Sequence, residues 1–468
     1  MAITTGLTLA ALLVLQQPQA GGGEQDKPLL SVAELKSLNK KLAAWIEAKK
    51  DYDDAPMNRR PAASRKHEKA KESFIKEWES RSEKVKTDLL KSIPDLRAIF
   101  DNVLPYDRAS GSNSIKRLEL KDPRAPEKYY ALYVPRSYRV DEPLRTVVVI
   151  PGRRGESDWV EAREWFENTW GGSESLKDTV FNVTQVPNDF EFEPVPDFSK
   201  EGEDAKEVKR IALVLVSWGV TMKTYNLDRD RIYLDAGHGS TGFALRLATM
   251  FPDRFAGLIL RNPADVPDIR LGSLNGMPVI AVADGASKAE AGKLQQRLNA
   301  LKDGSCRLLD ATDEYPFKAS APELEKWMAE TKRDLMIPRV VVEPNHPRFT
   351  KAYWVSIEHM DNIIGVPLDK RARIEVQANR KQNRITVKAE GVSAFTLLLN
   401  DQLADLDDPN GITIVVNGQA QVHKRGRDFG RMFDLLYKQK LDTGWLFPAI
   451  VECAVPRSET AKDGNGEK

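Results

Sequence analysis

The 468-residue chain carries only two cysteines, Cys306 and Cys453, and five histidines. Two thiols in separate regions supply neither a disulfide framework nor a metal-ligand spacing, so both are expected to be structural. Charge of neither sign dominates: 70 Lys plus Arg against 69 Asp plus Glu leave a formal +1, which gives no global field for nucleic acid or an anionic membrane. Neither a GxGxxG fingerprint, a P-loop, an EF-hand nor a zinc spacing occurs, so no cofactor and no metal are expected. Beyond the first residues no long apolar run recurs, and a membrane span is not expected.

What the chain does have begins with MAITTGLTLAALLVLQQPQAGGG. The apolar run Leu7 to Leu15 is too short to cross a bilayer and is followed by small residues, which reads as a signal peptide over residues 1–23. No Cys follows it, so a lipid anchor is not expected. The mature protein is therefore expected to be secreted or periplasmic and free of the membrane. At 41% hydrophobic residues, a chain of this length can fill two or three cores.

From 24 to 104, charged sequence carries apolar residues at helical intervals, Leu35, Leu38, Leu42 and Trp45, then Phe74, Trp78, Val85 and Leu89. This spacing predicts a helical hairpin or small bundle, broken between Ala55-Pro56 and Pro61. Between 112 and 340 the texture changes. Near-continuous apolar runs, YYALYVP, RTVVVIPG, RIALVLVSWG, RIYLDAG, FAGLILR, MPVIAVADG and CRLLDAT, alternate with helical stretches, which predicts a mostly parallel, doubly wound α/β sheet. Within 341–456 follow shorter alternating runs, ARIEVQA, RITVKAE, FTLLLND and ITIVVNG, with Asn-Asp, Asp-Asp-Pro-Asn-Gly and Asn-Gly turns. They predict a linker and an antiparallel, sandwich-like module from Arg371, expected to pack on the α/β part. The polar tail 457–468 is expected to be disordered.

Taken together, YYALYVPRSYR, PLRTVVVIPGRRGES, NLDRDRIYLDAG and FPDRFAGLILR resemble the α/β-hydrolase superfamily, in particular secreted esterases of the polyhydroxybutyrate-depolymerase or feruloyl-esterase kind. The resemblance covers about half the chain. It implies a small-molecule ester, a peptide or a polymer as ligand, and a serine on a tight strand-to-helix turn reading L-x-G-x-S-x-G-G.

The stretch LDAGHGSTGFALRLATMFPDRF departs from that pattern. Laid without gaps from Leu234 to Pro252, it puts His238 in the serine's place, while a one- or two-residue deletion puts Gly239 or Ser240 there. The other positions implied by the resemblance have changed as well. The orienting aspartate falls on Ser287 or Lys288, with Asp284 slightly early, and the catalytic histidine falls on Asp313 in ATDEYPF. No histidine lies between His238 and His346, and without an imidazole a serine hydroxyl lacks the base it needs. The resemblance thus implies a degenerate hydrolase. Two active alternatives stay open, a hydrolase using Ser240 and a His238–Asp313 dyad activating water. Gly152, Arg153 and Arg154 take the place of the oxyanion turn, where backbone donors and forked guanidinium groups could bind an acidic ligand beside Gly239. The tryptophans Trp159, Trp165, Trp170 and Trp218 are expected to pack helices rather than to line a cleft.

Overall fold

The computed structural model describes residues 27–456 except 102, 105, 107–108, 121–128, 154–159, 185–213, 265 and 267. The signal-peptide and tail readings lie outside these residues. By its internal contacts the chain divides into a unit ending at Val103 and a second beginning at Leu104.

The first unit is three helices: α1 (Val32–Asp53), α2 (Arg60–Val85) and α3 (Ile93–Phe100). The hairpin expected from the apolar spacing is present, with its break where Pro56 and Pro61 put it. Ser31 and Glu34 close a capping box at the start of α1, satisfying helix N–H groups that have no internal partner. Its apolar stripe meets that of α2, with the Trp45 and Phe74 rings 5.6 Å apart. Outside this seam Arg81 bridges Glu34 and Glu77, at 3.0 and 2.9 Å. The buried Asp95 of α3 accepts from the backbone of Leu29 and Leu30 at 2.7 and 3.0 Å, pinning the incoming chain.

The second unit opens with an eight-stranded sheet. Its members are β1 (Ile115–Glu119), β2 (Tyr129–Tyr133), β3 (Leu144–Ile150), β4 (Thr179–Thr184), β5 (Leu227–Ala236), β6 (Gly257–Arg261), β7 (Pro278–Ala283) and β8 (Ser305–Asp310). They lie in the order β1-β2-β4-β3-β5-β6-β7-β8, parallel from β4 through β8 and antiparallel at β1 and β2. Helices α4 (Ala162–Thr169), α5 (214–224), α6 (Thr241–Met250), α7 (Lys288–Asn299) and α8 (Ala321–Glu330) accompany it. This is the α/β-hydrolase-like class expected. One apolar cluster packs α6, Trp218 and Leu294 against one face; another packs Trp165, Trp170, Leu324 and Met328 against the other. Both faces being covered explains why the strands read as unbroken apolar runs.

Two element readings are corrected. In RIALVLVSWG, expected as a strand, residues 214 onward are helical. Short apolar runs do not distinguish a buried strand from a buried helix, and here Ser217 and Thr221 bond back to Val214 and Ser217 at i−3 and i−4 while Asn182 of β4 holds both hydroxyls. The strand missed in its place is β4, TVFNVT, whose Thr and Asn residues dilute the apolar signal although all six are buried.

A two-sheet module follows. Its strands are β9 (Arg339–Val342), β10 (Lys351–Ala352), β11 (Val355–Met360), β12 (Arg373–Asn379), β13 (Arg384–Glu390), β14 (Val392–Leu399), β15 (Ile412–Val416), β16 (Gln419–His423) and β17 (Ala449–Ala454), with α9 (Phe429–Lys438) between the last two. They form sheets β10-β11-β14-β17 and β16-β15-β13-β12-β9. The module is not wholly antiparallel, since β13 and β15 run parallel, and it begins before Arg371, because β9, β10 and β11 of the expected linker are strands of its sheets. It is bound to the α/β part through buried charge. Arg333 reaches Asp230 at 2.8 Å and Asp442 at 2.6 Å.

Candidate functional site

The site lies where β5 gives way to α6. After Ala236 the chain must pass the end of β3 at close range, and this fixes the glycines. A Cβ on Gly237 would lie 2.3 Å from the Trp165 ring and 2.7 Å from Gly152, and one on Gly152 would lie 2.2 Å from the Tyr315 hydroxyl. Backbone bonds then close the turn: Gly237 N donates to Ile150 O, Arg153 N to His238 O and Ser240 N to Gly237 O, at 3.2, 2.9 and 2.9 Å.

Among the described residues of this turn, the left-handed position is Gly239, with φ +78°. A tight strand-to-helix turn of this sort is where a hydrolase lifts its nucleophile clear of the sheet. Gly239 has no side chain to lift. The Arg153 side chain lies over it, about 3.2 Å from where a Cβ would stand.

His238 precedes this position and is half-buried. Its backbone N–H donates to Tyr315 Oη at 2.8 Å, and its ring Nδ1 lies 3.2 Å from the carbonyl oxygen of Asn262. A carbonyl only accepts, so a neutral imidazole bound this way carries its proton on Nδ1 and presents the Nε2 lone pair. Ser240 follows the turn and is fully buried. Its Oγ donates to Pro151 O at 2.8 Å, so the hydroxyl is directed into the end of β3, although Ser240 occupies the N-cap of α6.

The remaining expected residues take other duties. Asp313 Oδ2 accepts from Ala319 N at 2.8 Å, closing its own loop. His238 and Asp313 therefore do not form the dyad considered from the sequence; no hydrogen bond joins them among the described residues. Asp284 accepts from Asn262 Nδ2 at 2.7 Å and from Ser287 N at 2.9 Å, while its own N–H donates to Asn262 Oδ1 at 3.0 Å. Partial burial opposes its ionised form, yet the bonds from Asn262 and Ser287 hold the carboxyl below its ordinary range. Ser287 is the N-cap residue of α7, Lys288 begins that helix, and Lys288 pairs with Asp310 at 2.7 Å. Arg154 and Trp159 lie outside the described residues. Trp165, Trp170 and Trp218 are core residues, as expected. Of the later histidines, His346 is buried with Nδ1 accepting from Arg348 N at 2.9 Å, and His359 is exposed on β11.

Three contributors escaped the sequence reading. Asn262, at φ +47°, links His238 to Asp284 and so ties the ends of β5, β6 and β7. Its signal was the Asn-Pro pair closing an apolar strand. Tyr315 is held neutral, because burial pushes its phenol well above the ordinary range. The third is a buried pair beneath the turn: Arg261 Nε meets Asp235 Oδ1 at 3.0 Å, both fully buried, and Trp170 Nε1 donates to Asp235 Oδ2 at 2.8 Å. Arg261 Nη1 also reaches Pro316 O at 2.9 Å, which secures the loop that carries Tyr315 to His238.

No protein-family model matches the chain, and no curated protein matches it. Among solved structures it is similar to a thermostable esterase, at 18% identity and TM-score 0.36 over 47% of this chain and 63% of that one. It is also similar to the S-formylglutathione hydrolase of Staphylococcus aureus, at 12% identity and TM-score 0.34, over 48% of this chain and 99% of that one. A ferulic acid esterase of Anaeromyces mucronatus, solved with ferulic acid, gives 12% identity and TM-score 0.34 over 47% and 90% of the two chains. The matched region spans under two thirds of the thermostable esterase. What the site does chemically is set by its own residues.

Proposed function

We propose that this α/β-hydrolase-like chain is an exported protein whose elbow has lost its nucleophile, and that the surface around His238 and Arg153 binds a small ester or carboxylate without cleaving it. The observation that carries this reading is Gly239 at the left-handed position of the turn, covered by the Arg153 side chain. Ester attack needs a nucleophile, a base within about 3 Å and an orienting group. Here the serine hydroxyl of the turn, on Ser240, is buried and donates to Pro151 O, while Asp284 is bonded by Asn262 and Ser287 and Asp313 by Ala319. Arg153 supports an acidic ligand, since a guanidinium offers forked donors to a carboxylate.

The test is labelling of the purified mature protein with a fluorophosphonate, alongside hydrolysis of p-nitrophenyl butyrate. Neither labelling nor turnover above a His238→Ala control is expected, and small aryl carboxylates should raise the melting temperature. Stoichiometric labelling mapped to Ser240 overturns the reading. Export is tested separately by intact mass, which should lose a leader ending near residue 23.

A second reading rests on the His238 ring itself. Held through Nδ1 by Asn262 O, it leaves Nε2 as a lone-pair base, which could deprotonate water for attack on an activated ester. This reading requires turnover that disappears in His238→Ala and persists in Ser240→Ala.

A further inference from the structure

The β-module carries a basic stretch, His423-Lys424-Arg425-Gly426-Arg427, with Arg431 one helical turn beyond it. The structure divides these cations into two kinds. Arg427 is turned inward and caged, its guanidinium bonded to Asp401 and to Asp407, so its charge is spent. Lys424, Arg425 and Arg431 remain exposed and line a cleft of about 350 Å³ together with Asp428, Pro448, Ile450 and Glu452. Lys424 and Arg425 have no ion-pair partner among the described residues. Arg431 stands 3.6 Å from Asp428, whose other carboxylate oxygen is occupied in capping α9 through Arg431 N.

The opposite wall of this cleft is β17, the outermost strand of its sheet, paired with β14 along one side only. A sheet edge offers a row of main-chain donors and acceptors to an incoming strand. Ile450 and Glu452, two residues apart on β17, both line the cleft, as the period of a strand requires for one face. The lining offers aliphatic surface and three cations against the carboxylates of Asp428 and Glu452, but no aromatic face on which a sugar ring could stack. We propose that this cleft docks an extended acidic peptide of another protein, added as a strand beside β17, with its carboxylates met by Lys424, Arg425 and Arg431. The proposal is independent of what happens at His238.

The experiment is fluorescence anisotropy of a labelled short peptide alternating Glu and Val, titrated with the full chain at low salt. Binding is expected, weakening as salt rises because exposed charges are screened. Joint substitution Lys424→Glu, Arg425→Glu and Arg431→Glu should weaken it by roughly tenfold or more, and Glu452→Gln should strengthen it. A version of the peptide N-methylated at alternate residues should bind no better than the charge-reversed protein binds the original. An unchanged melting curve verifies that the variants fold. The proposal is overturned if charge reversal leaves affinity unchanged, if the N-methylated peptide binds equally well, or if a Lys-Val peptide binds equally well. Binding of polygalacturonate in place of the peptide also overturns it. So does a rise in affinity on truncation after Pro456, which would make the chain's own tail, residues 457–468 with Glu459, Asp463 and Glu467, the occupant.

Discussion

Asp235 and Arg261 lie beneath the elbow as a fully buried ion pair, 3.0 Å apart, with the Trp170 indole N–H completing the carboxylate's bonds. Such a pair stabilises little as a unit, because desolvation offsets its attraction, but losing one member leaves a bare charge in the core. Asp235→Leu should therefore cost on the order of 3–5 kcal/mol in urea unfolding. Asp235→Leu combined with Arg261→Met should recover part of that loss. A double variant less stable than the single one would mean that Arg261 acts mainly through its bonds to the 316–317 carbonyls.

Ser240 gives a second outcome. Its hydroxyl holds the end of β3 through Pro151 O. Ser240→Ala should lower stability by about 1 kcal/mol, the net worth of one such bond, and leave ligand binding unchanged. Isothermal titration with an aryl carboxylate beside a urea melt separates the two effects, and abolished binding with intact stability would give the hydroxyl a functional role.

The two thiols should be inert in the native protein. Burial pushes Cys306 up to about 12 and Cys453 up to about 11, so almost no thiolate exists at neutral pH. Iodoacetamide at pH 7.5 should modify neither until denaturant is added, when mass spectrometry should find both alkylated.

Lys351 supplies a pH dependence. Desolvation pulls its ammonium from 10.5 down to about 8, although its Nζ sits 3.6 Å from the Trp445 ring centroid. Between pH 8 and 10.5 the unfolded chain holds a proton that the folded chain has released, so this group makes stability rise with pH across that window. Lys351→Met should remove the slope. The urea midpoint difference between variant and wild type should favour the variant at pH 7.5 and shrink toward pH 10.5; an equal difference at both would show that the charge is not the cause.

Much of this architecture was legible in local pattern. The stripe Leu35, Leu38, Leu42 and Trp45 specified a helix because such a helix must bury one face, and the apolar runs ending at Gly152, Gly237 and Arg261 specified strands covered on both sides. The same rule failed at 214–224, where a short apolar run fits either state and the hydroxyls of Ser217 and Thr221, held by Asn182, settled it as helix.

At the elbow the sequence by itself determined that a histidine, a glycine and a serine compete for one turn, and that no histidine lies between His238 and His346. Which residue takes the left-handed position was decided only by tertiary structure. The register depends on the clearance between Gly152, Gly237 and Trp165, and on Tyr315 bonding the His238 backbone from a loop 77 residues away. Asn262 became part of the site for the same reason. Its side chain bonds Asp284 and its carbonyl meets His238 because β5, β6 and β7 are parallel neighbours whose ends come together, a proximity created by sheet order rather than by sequence spacing.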